Sequence, residues 1–200
     1  MTARSRQQSM EENRSKLIAA ARKAFALKGF SAASMDDLTA SVGLTRGALY
    51  HNFGDKKGLL AAVVSQVDAE IALRAKQIAA SAGDDWNRLL AEGIAYIEMA
   101  LEPEVQRIVL LDGPAFLGDP GHWPSQNLCL AETRKAVAAM IAKGIIKPLD
   151  VEAVSRLLNG AAFNAALWVA ASDAPEDTLS KATETFRALA NGLLVRTAQD

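Results

Sequence analysis

The sequence predicts an all-α protein. Segments along the whole chain repeat apolar residues every three to four positions, the period of a helix that buries one face. No segment alternates apolar and polar residues as a half-buried strand does. Alanine is abundant and there are only six prolines, so few positions oppose helix formation. We therefore expect helices joined by short turns, without a sheet.

Three short-range signals predict the first three helices. The first helix covers about residues 10–28. The second lies between Ser34, a good N-cap, and Gly43, which supplies the left-handed residue that ends a helix. The third covers about residues 46–52 and is capped by Thr45. Two short helices joined by a tight glycine turn are typical of a helix-turn-helix, whose second helix enters the major groove of DNA.

The run from about Leu17 to Leu59 resembles the DNA-binding domain of the TetR/AcrR family of bacterial transcriptional regulators. The residues that carry this resemblance are Phe25, Gly29, Phe30, Ser34, Met35, Leu38, Val42, Gly43, Gly47, Leu49, Tyr50, Phe53, Lys56 and Leu59. Two positions depart from the family pattern. Thr39 stands where the family usually has a small alanine, and Lys57 stands where an acidic residue is common. Neither departure is expected to break the fold.

The rest of the chain also has helical period. The further predicted helices cover about residues 55–80, 85–101, 103–112, 125–143, 151–171 and 176–197. Gly113 and Pro114 are expected to break or bend the chain, and a loop rich in turn residues covers 116–123. We therefore predict a three-helix DNA-binding domain over residues 1–57. The resemblance implies that residues 58–200 form a helical domain for effector binding and dimerisation.

The charge is divided unevenly between these two parts. Residues 1–57 contain ten Lys and Arg against five Asp and Glu, whereas residues 58–200 contain twelve against eighteen. The net charge of −1 hides this asymmetry. A basic N-terminal part is what a phosphate-binding module requires. A merely solvated surface is the alternative, and the coinciding helix-turn-helix argues against it. Arg4 and Arg6, near the N-terminus, are better explained by inert disorder than by DNA contact.

Other classes of protein find little support in the sequence. It contains no H-x-x-x-H, CxxC or G-x-S-x-G motif and no phosphate-binding glycine loop, so we expect no catalytic residues, metal or cofactor. No apolar stretch is long enough to span a bilayer, and the polar N-terminus does not resemble a secretion signal. The single Cys129 cannot form an internal disulfide. We therefore expect a cytoplasmic protein that does not associate with membranes.

The predicted DNA contacts come from the third helix and the start of the fourth. They are Thr45, Arg46, Gly47, Ala48, Tyr50, His51, Asn52 and Lys56. Arg46 has the forked donor that suits guanine O6 and N7, although a phosphate contact or a free surface position stays open. Tyr50 can donate to a phosphate or pack its ring against the first helix. Lys56 opposes the dipole of its own helix unless an anion such as a DNA phosphate lies there.

An effector pocket is expected in the second part. The candidates are Tyr96, Met99, Phe116, His122, Trp123, Phe163, Asn164 and Trp168. They combine large apolar groups with a few polar ones, as small-molecule sites do. Other large apolar groups, among them Trp86, are also available, and each of these residues has ordinary core packing as its alternative. The scarcity of charge on the inward faces favours an uncharged or amphipathic, largely apolar effector.

The last two predicted helices carry apolar stripes. The resemblance implies that they form the four-helix interface of a homodimer, with Phe186, Leu189 and Leu193 in it. Filling the core of one subunit is the alternative use of those stripes. The sequence thus predicts a dimeric repressor that binds a near-palindromic duplex and is released by a small molecule. The alternative is a related DNA-binding protein that acts as an activator or architectural factor without such a switch.

Overall fold

The computed structural model of the protein describes residues 6–195. Over that range the chain forms helices and no β-strand, apart from one isolated antiparallel bridge between Ile146 and Leu194. The all-α prediction is therefore confirmed. In chain order the elements are α1 (Arg6–Ala32), α2 (Met35–Ser41), α3 (Arg46–Phe53), α4 (Lys56–Ala79), α5 (Asp85–Glu98), a 3-10 turn (Met99–Leu101), α6 (Pro103–Val105), a π-helical segment (Gln106–Asp112), α7 (Gly113–Leu117), a 3-10 turn (Pro120–His122), α8 (Pro124–Ala142), α9 (Val151–Ala170) and α10 (Pro175–Asn191).

The first three helices and the start of α4 share one core. Leu17, Ala21 and Phe25 recur every four residues on α1 and are fully buried. Leu49 of α3 and Leu59 of α4 are also fully buried. Helix α1 packs against α2, α3 and α4, so the helix-turn-helix lies on a fixed base.

The helical conformation of α1 is interrupted at Gly29, directly after the predicted end of the first helix near residue 28, and a short helical segment follows up to Ala32. The φ of Gly29 is 76°, a left-handed conformation that favours glycine. A Cβ at this position would lie 2.0 Å from a guanidinium nitrogen of Arg107. The backbone angle at Gly29 therefore favours glycine, and the Arg107 side chain would have to move to admit a Cβ.

The body of the molecule is built around α4, α5 and α9. Helix α4 packs along α5 and α8, and α9 packs against α5, α8 and α10. The predicted boundary between residues 57 and 58 falls in the first turn of α4 and stays a prediction. The two ends of the predicted domains, residues 1–5 with Arg4 and residues 196–200, lie outside the described residues.

Two predicted helix ends differ from the structure. The chain does not break at Pro114, because the π-helical segment precedes it and Pro114 takes the first turn of α7, where a missing N–H is tolerated. Helix α10 ends at Asn191 rather than near 197, and residues 193–195 then run beside 145–147. Residues 196 and 197 of the predicted helix lie outside the described range.

Candidate DNA-binding surface and effector cavity

A side-chain cap fixes the start of α3 and leaves its first turn exposed. The Thr45 hydroxyl accepts a hydrogen bond from the Ala48 N–H at 3.2 Å. Gly43, in the turn before it, has a φ of 67°. Gly47 is exposed, and a Cβ there would meet nothing nearer than the Thr45 hydroxyl at 3.6 Å. Packing within the chain therefore does not require glycine at 47, and a DNA contact there stays a prediction.

Arg46 projects from the first turn of α3 and pairs with a carboxylate of α2. Its Nε contacts Asp36, and the side chains are 56% and 66% exposed respectively. An ion pair at that exposure stabilises the fold by about 0–1 kcal/mol. The guanidinium can therefore leave Asp36 for DNA at little energetic cost.

The later polar residues of α3 differ in their freedom. Tyr50 is 48% exposed and His51 is exposed. Asn52 is half-buried, and its side-chain N–H donates to the Ala48 carbonyl at 2.7 Å. Its own carbonyl accepts from Arg14 at 3.2 Å. Tyr50 and His51 are thus available at the surface, whereas Asn52 is already bonded within the N-terminal core.

Lys56 has partners inside the protein that the sequence did not indicate. Its ammonium donates to the Ser31 carbonyl at 3.3 Å and lies 4.6 Å from the centre of the Phe30 ring. Partial burial lowers the pKa of Lys56. Its charge at the start of α4 is therefore explained by the end of α1 without a phosphate. A DNA contact by Lys56 stays a prediction.

We expect Arg46→Ala to weaken binding to the specific duplex by about 1–3 kcal/mol and to relax the preference at one base pair in each half-site. Lys56→Ala should weaken binding to all duplexes alike. Fluorescence anisotropy with the specific and a scrambled duplex checks both expectations. Equal losses on the two duplexes for Arg46→Ala would assign that side chain to phosphate instead of base contact.

A cavity with about 700 Å³ of unoccupied space, part of it open to solvent, lies between α4, α5, α8, α9 and α10. The residues that line it are Ala72, Ala75, Trp86, Leu89, Leu90, Glu92, Gly93, Tyr96, Gln126, Cys129, Thr133, Leu158, Asn159, Ala162, Phe163, Phe186 and Ala190. Concave, mostly apolar walls with a few polar groups are the usual form of a small-molecule site.

Some of the residues predicted for the pocket lie at this cavity. Tyr96 and Phe163 both line it, with ring centres 6.3 Å apart. Trp123 is buried against Phe163, with ring centres 6.2 Å apart and nearly perpendicular planes, but it does not line the cavity. Asn164 is exposed and lines a shallower hollow on another side of α9.

The structure places four predicted pocket residues elsewhere. Met99 is buried after the end of α5, and Phe116 packs against the Phe30 ring of α1 at 4.5 Å between centres. The His122 side chain is 86% exposed in the 3-10 turn. Trp168 is 52% exposed. The prediction that these four line the pocket is therefore corrected, because helix packing directs them to the α1 contact, the core or the surface.

A buried polar group lies behind the cavity wall. Asp68 of α4 is 1% exposed and accepts from the side-chain amide of Gln126 at 2.9 and 3.2 Å. The Tyr96 hydroxyl donates to it at 3.4 Å. Burial raises the pKa of Asp68, while these hydrogen bonds act in the opposite direction. Sequence reasoning did not identify Asp68 or Gln126.

The raised pKa of Asp68 gives a pH-dependent stability. A group whose folded-state pKa is raised stabilises the fold fully below its unfolded pKa, about 3.9, and that contribution is lost as the pH rises through the folded value. The free energy of unfolding of Asp68→Asn, relative to that of wild type, should therefore be higher at neutral than at acidic pH. Urea unfolding at several pH values checks this, with the exposed Asp173→Asn as control. A difference in unfolding free energy between Asp68→Asn and wild type that does not vary with pH would contradict this expectation.

The predicted dimer residues are not equally exposed. Phe186 is buried, and its ring lies 2.8 Å from where a Cβ on Gly93 would stand. Because it lines the cavity of its own subunit, its assignment to the dimer interface is corrected. Leu189 is 67% exposed and Leu193 is half-buried. Their place in a dimer stays a prediction.

Helix α9 presents large apolar side chains that sequence reasoning did not assign to an interface. Leu157 is 73% exposed and Trp168 is 52% exposed. They are eleven residues apart, about three helical turns, so they lie on the same side of α9. We use the name outer apolar face for these two side chains together with the exposed Leu189 of α10, the helix that packs against α9. Exposed apolar groups of this kind mark interaction surfaces when they are contiguous.

The π-helical segment holds the end of α1 through a buried carboxylate. Asp112 is 8% exposed and accepts from the Phe30 backbone N–H at 2.7 Å. The same oxygen accepts from Arg107 Nε at 3.3 Å. The Arg107 guanidinium also lies against Gly29. These contacts join the DNA-binding helices to the body, and we call them the α1 latch.

We also searched residues 6–195 for a membrane-spanning helix, a metal site and a reactive thiol. No helix in that range is both long and apolar enough to cross a bilayer, and no group of three or more His, Cys, Asp or Glu residues is placed to hold a metal ion. Burial raises the pKa of the Cys129 thiol to about 11, so it is protonated at neutral pH.

An exposed short helix on a three-helix base, continuous through α4 with a helical body that contains a cavity, defines a helix-turn-helix regulator. The chain belongs to the TetR family. Residues 17–63 match the model of the bacterial regulatory proteins of the tetR family, and residues 86–193 match that of the Tetracyclin repressor-like C-terminal domain. It is therefore a TetR-family DNA-binding transcriptional regulator.

Individual relatives agree with this assignment. The chain is similar to a TetR-family transcriptional regulator from Pectobacterium atrosepticum, with 45% identity, a TM-score of 0.85 and coverage of 96% of this chain and 99% of the other. It is 24% identical to the Transposon Tn10 TetC protein of Escherichia coli, over 77% of this chain and 78% of TetC. It is 35% identical over 60 residues to the HTH-type transcriptional repressor AcnR of Corynebacterium glutamicum, or 30% of this chain and 32% of AcnR.

Proposed function

We propose that the protein is a homodimeric repressor that acts in the cytoplasm, binds a near-palindromic operator and is released by a small, largely apolar effector. The observation that carries this proposal is the position of α4. Its first turns belong to the DNA-binding core through the fully buried Leu59, and its far half lines the cavity through Ala72 and Ala75.

Helix α4 gives the cavity a mechanical connection to the recognition helices. Its 24 residues span about 36 Å. Two recognition helices of a dimer enter successive major grooves only when they lie about 34–36 Å apart. An effector that displaces the far half of α4 would change that spacing by a few ångströms and so oppose DNA binding. The α1 latch is a further connection between the body and the DNA-binding helices.

The repressor assignment is supported by the similarity to AcnR, which is named as a transcriptional repressor. A dimer is supported by the outer apolar face, whose leucine and tryptophan side chains gain most from burial against a second copy. Cytoplasmic action follows from the DNA target.

Thermodynamic linkage between operator and effector tests the proposal. A compound selected from a library of small amphipathic molecules because it dissociates the operator complex should bind the free dimer more tightly than the operator-bound dimer. The factor, about 5–150, should equal the factor by which the compound weakens operator binding. Equal affinity with and without operator contradicts the switch and leaves an activator or architectural protein.

A matched pair of variants locates the effect. Ala72→Leu adds bulk to the cavity wall and should keep operator affinity while losing the response to the compound. Ala69→Leu, at an exposed position on the same helix, should keep both. A full response in Ala72→Leu would place the effector site outside the cavity.

A further inference from the structure

The cavity wall includes a carboxylate without a partner. Glu92 of α5 lines the cavity and is half-buried, and its carboxylate makes no hydrogen bond or ion pair with residues 6–195. Burial raises the pKa of Glu92, with Lys76 and Glu132 acting on it only at a distance and in opposite directions. A carboxylate that loses water without gaining a partner is unfavourable until a cation reaches it.

Other polar groups in and behind the cavity wall also favour a positive charge. Gln126 uses its amide N–H on the buried Asp68, so the group it has left for hydrogen bonding is its carbonyl oxygen, an acceptor. Tyr96 donates its hydroxyl proton to the same carboxylate. Among the described residues Asp68 receives hydrogen bonds only from neutral donors, so its negative charge is not balanced by a basic side chain.

The apolar part of the cavity is suited to cations as well. Four aromatic rings line it, from Trp86, Tyr96, Phe163 and Phe186, and aromatic faces attract cations. Trp86 is fixed by a hydrogen bond from its indole N–H to Asn191 at 3.0 Å. No lysine, arginine or histidine lies among the lining residues.

We propose that the effector is a monocation, a protonated amine or quaternary ammonium on an aromatic or alkyl body, whose charge lies between Glu92 and the aromatic rings. This inference rests on the proposed function and specifies the chemical class of its effector. The apolar body fills the alanine- and leucine-rich part of the wall. The opposing interpretation is that Glu92 is merely solvated, because it also borders a hollow lined by Lys76, Arg88 and Lys143.

The experiment compares three probes of one skeleton and different charge: phenylbutylamine, phenylbutanol and phenylbutyrate. Binding to the full-length, DNA-free protein is measured by titration calorimetry and by intrinsic tryptophan fluorescence, to which Trp86 in the cavity wall contributes. We expect the amine to bind at least about tenfold more tightly than the alcohol, and the acid to bind most weakly. Amine affinity equal to that of the alcohol, or tighter binding of the acid, overturns the proposal.

Variants test the assigned residue. Glu92→Gln should reduce the amine-to-alcohol preference by about tenfold and leave alcohol affinity unchanged. Glu98→Gln, exposed on the same helix and outside the cavity, should leave the preference intact. An unchanged preference in folded Glu92→Gln, checked by circular dichroism, overturns the role of Glu92.

The outcomes separate this inference from the proposed function. Suppose that phenylbutanol or phenylbutyrate binds best, that Ala72→Leu abolishes its binding, and that it dissociates the operator complex. These results would support the effector switch and contradict the cation assignment. If none of the probes binds at millimolar concentration, both the cation assignment and the cavity as effector site are contradicted.

Discussion

Leu189→Glu and Trp168→Glu are each expected to convert the dimer to monomers and to weaken operator binding by about 100-fold or more, because a single DNA-binding part loses the second half-site. Both side chains belong to the outer apolar face and are more than half exposed in the subunit, at 67% and 52%. A charge there has little effect on the monomer fold but is unfavourable inside an apolar interface. Light scattering gives the mass and fluorescence anisotropy the affinity.

The control is Leu73→Glu, which replaces a 58% exposed leucine on α4, outside that face. It should leave both the dimer and operator affinity unchanged. A stable wild-type monomer at micromolar concentration would overturn the dimer. Loss of the dimer in Leu73→Glu alone would place the interface on another surface.

The second large effect concerns the α1 latch. Asp112→Leu removes the acceptor of the buried Phe30 N–H and should lower the free energy of unfolding by about 2–3 kcal/mol. Chemical denaturation measures this change. The loosened α1 should also weaken the response of operator binding to an effector, since one of the connections between the body and the DNA-binding part is lost.

Asp112→Asn is the matched variant, because its amide oxygen can still accept from Phe30. It should lose less than half as much stability as Asp112→Leu. Equal losses in the two variants would assign the effect to the charge of Asp112 or to its contact with Arg107 at 3.3 Å, and not to the hydrogen bond from Phe30.

The local signals in the sequence located the helix-turn-helix well. Ser34, Thr45 and Asp55 each cap the helix they precede, with the N–H of the third residue after the cap bonded to the side chain. Because each cap involves residues within four positions of one another, it can be predicted from the sequence alone. Thr39, a departure from the family pattern, is tolerated because its buried hydroxyl donates to the Met35 carbonyl at 3.0 Å.

The cavity was harder to predict because distant helices build it. Tyr96 and Gln126, which share Asp68, are thirty residues apart, and no periodicity specifies that α5 and α8 meet there. A signal for Asp68 did exist: it stands on the buried side of α4, four residues after Val64, where an apolar residue is expected. Glu92 falls likewise between Leu89 and Tyr96 on α5. An acidic residue within an apolar stripe is therefore the sequence signal that indicates a polar group in or behind the cavity wall.

Selection of DNA from a random duplex library by the full-length protein tests the central claim most directly. We expect enrichment of an inverted repeat whose half-site centres lie about 34–36 Å apart, or a multiple of that distance, along the duplex. With Arg46→Ala we expect enrichment of a repeat with one relaxed position in each half. Recovery of no sequence, or of a single site without two-fold symmetry, would contradict a dimeric repressor that reads DNA through α3.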